Sequence, residues 1–288
     1  MAKETKYSIR DLKAQFPNDE VCTEFIFDSL HSRKCSCGGE YRQLKGRRQF
    51  QCSKCRFQIA PTANTIFHKS PTPLTLWFHA IFVFSNAKSG ISAKELERQL
   101  GVTYKCAWRM LNQIRKALRQ SSDKLSGDVE TDGAYLGGRR SGGKNNENLS
   151  EAVKAKTTVM AAVQRGGEMR AEATQDMTAW EVKKFLDKNV ERENTLLMTD
   201  GSRSYQNSTE GYKRETVDHG RKVYARANIH VNSVERFWSH IKRSIKGTHK
   251  SISKKYVQSY LDAFVFHYNN RHNDRQRFSS LLGAVLQS

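Results

Sequence analysis

The chain has 288 residues and carries 49 Lys and Arg against 29 Asp and Glu, a formal charge of +20 with a pI near 9.8. That surplus points to an extended polyanion as partner and argues against an acidic or membrane-embedded protein. The longest apolar run, Leu74 to Phe84, contains His79 and is too short to cross a bilayer. No lipidation signal or signal peptide opens the sequence, so a cytoplasmic protein with no membrane and no small-molecule partner is expected.

In chain order, residues 1–32 form a helical lead-in. Ser8 stands three before Asp11 as a helix start, and Phe16, Val21, Phe25, Ile26 and Leu30 form the apolar set that follows. Residues 33–70 hold four of the six cysteines. Cys52 and Cys55 have the spacing of a metal knuckle; Cys35 and Cys37 are one residue closer together, with Gly38 and Gly39 supplying a tight turn. Four thiolates in two pairs satisfy one tetrahedral Zn²⁺, and His31 is an alternative to Cys35 in that set. A core this small needs a metal to fold. Cys22 and Cys106 lie on apolar helical stretches and read as buried thiols.

Residues 71–118 begin with a break at Pro71 and Pro73 and a buried aromatic helix. Ser92 then caps a helix with Leu96 and Leu100 on one side; Gly101 permits a sharp turn, and Thr103 starts a second helix with Ala107, Met110, Leu111 and Ile114 inward. In a basic chain this pairing reads as a helix-turn-helix with Tyr104, Lys105, Arg109 and Gln113 toward a DNA groove. In a neutral chain it would be a plain helical hairpin.

After a linker at 119–126, the pattern over 127–288 is strand 127–132, a glycine-rich basic loop, a hairpin of strands 157–164 and 168–174, helix 178–190, strand 195–199, a strand at 213–218 and terminal helices. Strands followed by alternating helix and strand suit a mixed sheet flanked by helices. Two strands end on acids, Asp132 and Asp200. A helix beginning near Asn232 carries Glu235, 35 positions beyond Asp200, and Lys242, seven positions beyond Glu235. Hard divalent cations want such carboxylate oxygens, and two ions about 3.5–4 Å apart can activate the attacking oxygen and stabilise the leaving one. Lys242, about two helical turns on, faces the same groove and can hold a phosphate backbone. Asn232 to Glu235 also fits an N-x-x-E helix cap. Glu130 shares a strand face with Asp132 and reads either as a support behind the metal-binding acids or as merely solvated. The basic loop offers Arg139, Arg140 and Lys144, and the region from Arg221 to Arg277 carries 13 Lys and Arg against three acids, Arg243 and Lys246 among them.

The Asp132, Asp200, Glu235 spacing resembles the D,D(35)E signature of DDE transposases and retroviral integrases. The words VETDGAYLGG, LLMTDGSRSYQ, HVNSVERFWSHIKRSIKGTHKSIS and YLDAFVFHYNNR are similar to bacterial insertion-sequence transposases of the ISXO type, relatives of the Merlin elements, over about residues 17 to 280. The resemblance implies a zinc ribbon at Cys35, Cys37, Cys52 and Cys55, and a ribonuclease-H-like catalytic domain of mixed α+β architecture. It implies two Mg²⁺ or Mn²⁺ ions held by Asp132, Asp200 and Glu235, with Asn232 as alternative or additional third residue. Its partners would be double-stranded DNA, as terminal inverted repeats and target, and a second copy of the chain in a homodimer or higher oligomer. A non-catalytic DNA-binding regulator and a ribonuclease-H-type nuclease are the competing readings.

Overall fold

The computed structural model describes residues 7–137, 156–217, 230–273 and 276–287. The chain divides into two units, Met1–Arg119 with His272–Ser288, and Gln120–Arg271.

In the first unit, α1 (Ile9–Gln15) and α2 (Asp19–Leu30) start where Ser8 and Asn18 accept the first-turn N–H groups, Ser8 in a reciprocal capping box with Asp11. A small antiparallel sheet follows, β1 (Tyr41–Gln43), β2 (Phe50–Cys52) and β3 (Gln58–Ile59). Its core is Phe27, Cys35, Tyr41, Phe50 and Cys52, with Phe27 stacked on Phe50 at 3.9 Å between ring centroids. The aromatic helix α3 (Leu74–Asn86) buries Leu74, Trp77, Phe78, Ile81 and Phe84. Then α4 (Ala93–Leu100) and α5 (Tyr104–Ala117) are capped by Ser92 and Thr103 and joined through Gly101 at φ 66°, where a residue with a Cβ would be strained.

The second unit is built on a five-stranded sheet. Its strands are β4 (Leu125–Leu136), β5 (Thr157–Gln164), β6 (Met169–Thr174), β7 (Val190–Asp200) and β8 (Lys213–Val217), in spatial order β6-β5-β4-β7-β8. The β4–β5 and β5–β6 pairs are antiparallel, whereas β7 joins β4, and β8 joins β7, in parallel. This is the expected ribonuclease-H-like mixed sheet. On one face Val129, Met160, Ala162 and Leu197 pack on α6 (Ala179–Asn189) through Val182, Phe185 and Leu186, together with Tyr205 of α7 (Arg203–Gln206). On the other, Ala134, Ala161, Val163 and Met198 meet Val234, Phe237, Trp238 and Ile241 of α8 (Asn232–Ser244) and Leu261 and Phe264 of α9 (Val257–Asn269).

Three expectations are corrected. The strand that holds Asp132 does not end there: it runs to Leu136, because β5 keeps pairing with it after β7 has stopped at Glu130. Of the helices assigned to the catalytic domain, α10 (Arg277–Leu286) groups with the first unit. There its Phe278 stacks on Tyr7 at 5.1 Å and meets Phe16 edge-on.

The 119–126 stretch is not a free linker. The Gln120 amide donates to the Ala171 carbonyl (2.6 Å) and accepts its N–H (2.8 Å), and Arg170 donates to the Asp123 carbonyl (3.0 Å). Asn269 does the same for Met169, and Gln258 accepts the Ala173 N–H while donating to the Ala171 carbonyl. Three side-chain amides thus cover the open edge of β6, which would otherwise offer itself to another strand. Gln120→Leu leaves the Ala171 N–H unpaired, the carbonyl keeping Gln258 as donor, and is expected to cost about 1–3 kcal/mol, read as a lower urea midpoint, with faster amide exchange at Ala171.

Candidate active site and cysteine cluster

The site residues are brought together by the sheet. The parallel register that pairs Glu130 with Met198 aligns Asp132 with Asp200 two residues further on, just past the last paired positions. Both fall on the sheet face that packs against α8, since their alternate neighbours Ala134 and Met198 lie in that core. The helix turns Val234, Phe237, Trp238 and Ile241 into the core, leaving Glu235 half-buried and Lys242 and Arg243 exposed along its side.

The electrostatics of Asp132 tie the four groups into one neighbourhood. Burial first, then repulsion from Asp200 and from Glu235, pushes its carboxyl up to about 6, against relief from the Gly133 N–H and from Lys242. Asp200 is fixed by the turn after β7: its Oδ1 accepts the Ser202 N–H at 3.0 Å, and its carbonyl accepts from Arg214 at 3.2 Å. The three carboxylates are not as close-set as the cysteines described below.

The sequence had also allowed Asn232 and Glu235 to be a helix cap. The cap is supplied otherwise: α8 begins at Asn232, and Val231 at the N-cap provides no side-chain bond. The carboxylate of Glu130 accepts the N–H groups of Ser233 (2.7 Å) and Val234 (3.4 Å) instead. Asn232, also half-buried, sits one turn before Glu235.

Three residues escaped sequence reasoning. Glu130, shared face aside, gave no sign of its helix-capping part, which is a contact 103 residues long. Tyr205 is fully buried, and its ionisation is driven far upward by burial and by the charges of Asp132 and Asp200. Arg214 reaches from β8 to Thr199 Oγ1 at 2.9 Å. Only the tyrosine's position five after Asp200 could have hinted at such a role.

Of the expected DNA contacts, Tyr104 is 50% exposed; Lys105 is exposed too, and Arg109 and Gln113 are partly so. Lys246 is exposed on a π-helical turn, Ile245–His249, that prolongs α8. Arg139, Arg140 and Lys144 lie outside the described residues.

Cys35, Cys37, Cys52 and Cys55 have ligand atoms all within 4.8 Å of one another. The Sγ pairs Cys35–Cys55 and Cys37–Cys52 are 3.7 and 3.4 Å apart, close to the roughly 3.8 Å edge of a tetrahedron with Zn–S bonds of about 2.3 Å. The set therefore fits zinc. His31 is not needed in it; its ring lies 5.3 Å from that of Phe27. The Tyr41 hydroxyl, followed by the Cys37 N–H, lowers the Cys35 thiol to about 6, which favours the thiolate that a metal binds.

Residues 124–269 match the family described as the ISXO2-like transposase domain. A protein of Halobacterium salinarum, an uncharacterized protein in transposable element ISH50, is 27% identical over 239 residues, covering 78% of this chain and 79% of that one. Among solved structures, a pre-cleavage Mos1 transpososome is similar at 11% identity over 73% of this chain and 76% of its own, with a TM-score of 0.29. A simian T-cell lymphotropic virus intasome in complex with PP2A regulatory subunit B56 gamma is similar at 10% identity over 72% of each chain, with a TM-score of 0.31.

Two outcomes follow from this geometry. A Cβ on Gly39 would stand 2.5 Å from the Cys52 sulfur and 3.1 Å from the Lys54 backbone nitrogen; Gly39→Ala is expected to lose zinc to a chelator at least about tenfold faster than the parent chain, measured with a colorimetric indicator. For Asp132, the native carboxyl keeps its proton to about pH 6, an unfolded one only to about pH 3.9. The native state binds the extra proton between those values, so this group's contribution to stability falls as pH rises through the window. In metal-free protein Asp132→Asn is accordingly expected to raise the thermal midpoint at pH 8 and to change it little at pH 3.5.

Proposed function

The chain belongs to the ISXO2-like transposase family, and from that premise we propose that it binds the terminal inverted repeats of an insertion sequence, cleaves phosphodiester bonds there and transfers the freed 3′-hydroxyl to target DNA. The observation that carries this reading is the gathering of Asp132, Asp200 and Glu235 at one end of the sheet, near enough that burial together with the last two pushes the Asp132 carboxyl up while Lys242 relieves it. Carboxylates gathered at one point in a chain of net charge +20 make a local sink for cations on a surface otherwise suited to anions. A pure DNA binder gains nothing from such a sink.

Asp132, Asp200 and Glu235, with Asn232 as alternative or additional donor, would hold two Mg²⁺ or Mn²⁺ ions. The bound ions would supply charge neutralisation at the attacking and leaving oxygens of an in-line displacement. The chain's own part is positional. The sheet fixes the two aspartates, α8 brings Glu235 over them, and Lys242, Arg243 and Lys246 hold the phosphate backbone along the helix. The nucleophiles are water and then the DNA 3′-hydroxyl, so no covalent bond to the protein is required.

In the first unit, the Cys35, Cys37, Cys52 and Cys55 zinc ribbon and the α4–α5 pair would read the element ends, with Tyr104, Lys105, Arg109 and Gln113 toward the groove. Two ends must be joined in one event, which calls for a dimer or higher assembly on DNA.

Asp200→Ala is expected to bind end DNA within about twofold of the parent affinity and to lose Mg²⁺-dependent cleavage by at least about a thousandfold. A gel assay for nicked and transferred strands, on a fragment carrying both element ends, measures both. Cleavage without joining would make the protein a nuclease. Full activity of the variant would remove the metal site from these residues. Side by side, Glu235→Gln and Asn232→Ala identify the third ligand as the one whose loss abolishes cleavage.

A further inference from the structure

We infer that Glu130, two residues before Asp132 on β4, is a positioning residue that sets where Glu235 stands by gripping the N-terminus of α8; this rests on reading Asp132, Asp200 and Glu235 as the metal-binding acids.

The Glu130 side chain is 0% exposed. Burying a carboxylate costs several kcal/mol unless it is fully partnered, and here the partners come from two places. Arg165, in the turn between β5 and β6, donates through Nε at 2.8 Å. Ser233 donates through its backbone N–H at 2.7 Å and its hydroxyl at 3.0 Å, and Val234 through its N–H at 3.4 Å. His230 stands alongside, with Nδ1 at 3.3 Å from Glu130 and 3.0 Å from Arg165. Arg165 also donates to the His230 carbonyl at 3.0 Å.

Capping alone does not require this. A serine, threonine, aspartate or asparagine at the N-cap would satisfy the same N–H groups locally, as Ser8, Asn18, Ser92, Thr103 and Thr178 do for other helices of this chain. At α8 the N-cap is Val231, and the acceptor instead sits on the strand that carries Asp132. Each end of the contact is therefore short in sequence: Glu130 is two residues from Asp132, and Val234 is adjacent to Glu235. A charged oxygen held by the positive end of the helix fixes how far α8 slides along the sheet. It also fixes how Glu235 is turned toward Asp132.

The test is a double-mutant cycle read by Mn²⁺ binding in calorimetry, with cleavage of end DNA as a second readout. Glu130→Gln keeps one acceptor oxygen but turns an N–H₂ toward either Arg165 or Ser233. It is expected to weaken Mn²⁺ binding at least tenfold and slow cleavage by a similar factor, with DNA affinity unchanged. Added to Glu235→Gln, it should weaken Mn²⁺ binding no further, because it acts through the residue already removed. Should Glu130→Gln fail to fold, Ser233→Ala removes one donor to the same carboxylate and is expected to shift Mn²⁺ affinity about threefold in the same sense, again only while Glu235 is present. Losses that add across the cycle, or a Glu130→Gln or folded Ser233→Ala protein with parent Mn²⁺ affinity, would overturn the positioning role alone. No effect of Glu235→Gln by itself would bring down the metal-site reading, and this inference with it.

Discussion

The parallel pairing of β4 with β7 is the constraint from which the rest follows. It stops at Glu130 and Met198, while β4 goes on for six more residues against β5. Past that point the two strands have no hydrogen bonds to each other, and the gap is where Asp132 and Asp200 stand. Two like charges in mid-sheet would oppose strand pairing directly. Placed just beyond the last paired residues, they remain near neighbours without disrupting the ladder. The sheet order that results, with two antiparallel strands on one side of β4 and two parallel strands on the other, is why acids 68 positions apart in the sequence meet (200 − 132 = 68).

The site then has an energetic character of its own. Asp132 is held at a raised proton affinity by burial and by two neighbouring carboxylates, and Tyr205 lies buried under the same charges. Neither arrangement favours folding of the metal-free chain. Two other buried charges are neutralised within the protein: Glu130 by Arg165, and Arg170, 2% exposed at its side chain, by Glu168 at 2.8 Å. The contrast separates two uses of a buried acid. Glu130 has its donors and acts on the fold; Asp132 is set among like charges that raise its proton affinity.

Much of this was legible in the sequence because it is local or periodic. The capped starts of α1, α4 and α5 follow from Ser8, Ser92 and Thr103, and the buried face of α3 from its apolar run. The spacing of Asp132, Asp200, Glu235 and Lys242 carried the family resemblance before any fold was known. What escaped depends on contacts without a local sign. A glutamine at 120 looks like linker chemistry until it meets the edge of β6, and a glutamate at 130 looks solvated until a helix terminus arrives 103 residues later. The N-x-x-E pattern at Asn232 is ambiguous for the same reason: it also describes a local cap, and the cap comes from another strand.

The four cysteines and the three acids lie in separate units of the chain, and they differ in chemistry. The cysteines are close-packed, with all four ligand atoms within 4.8 Å and Gly39 packed against a ligand sulfur so closely that no side chain fits. A closed tetrahedral set of that kind leaves no position for a substrate and serves folding. Asp132, Asp200 and Glu235 are each half-buried, with Lys242 and Arg243 exposed on the helix that carries Glu235. Room for oxygen ligands other than the protein's own is what hard divalent cations require when they act on a phosphodiester. On the proposed reading, the sulfur site would be complete within the protein, whereas oxygens of a nucleic acid would complete the carboxylate site.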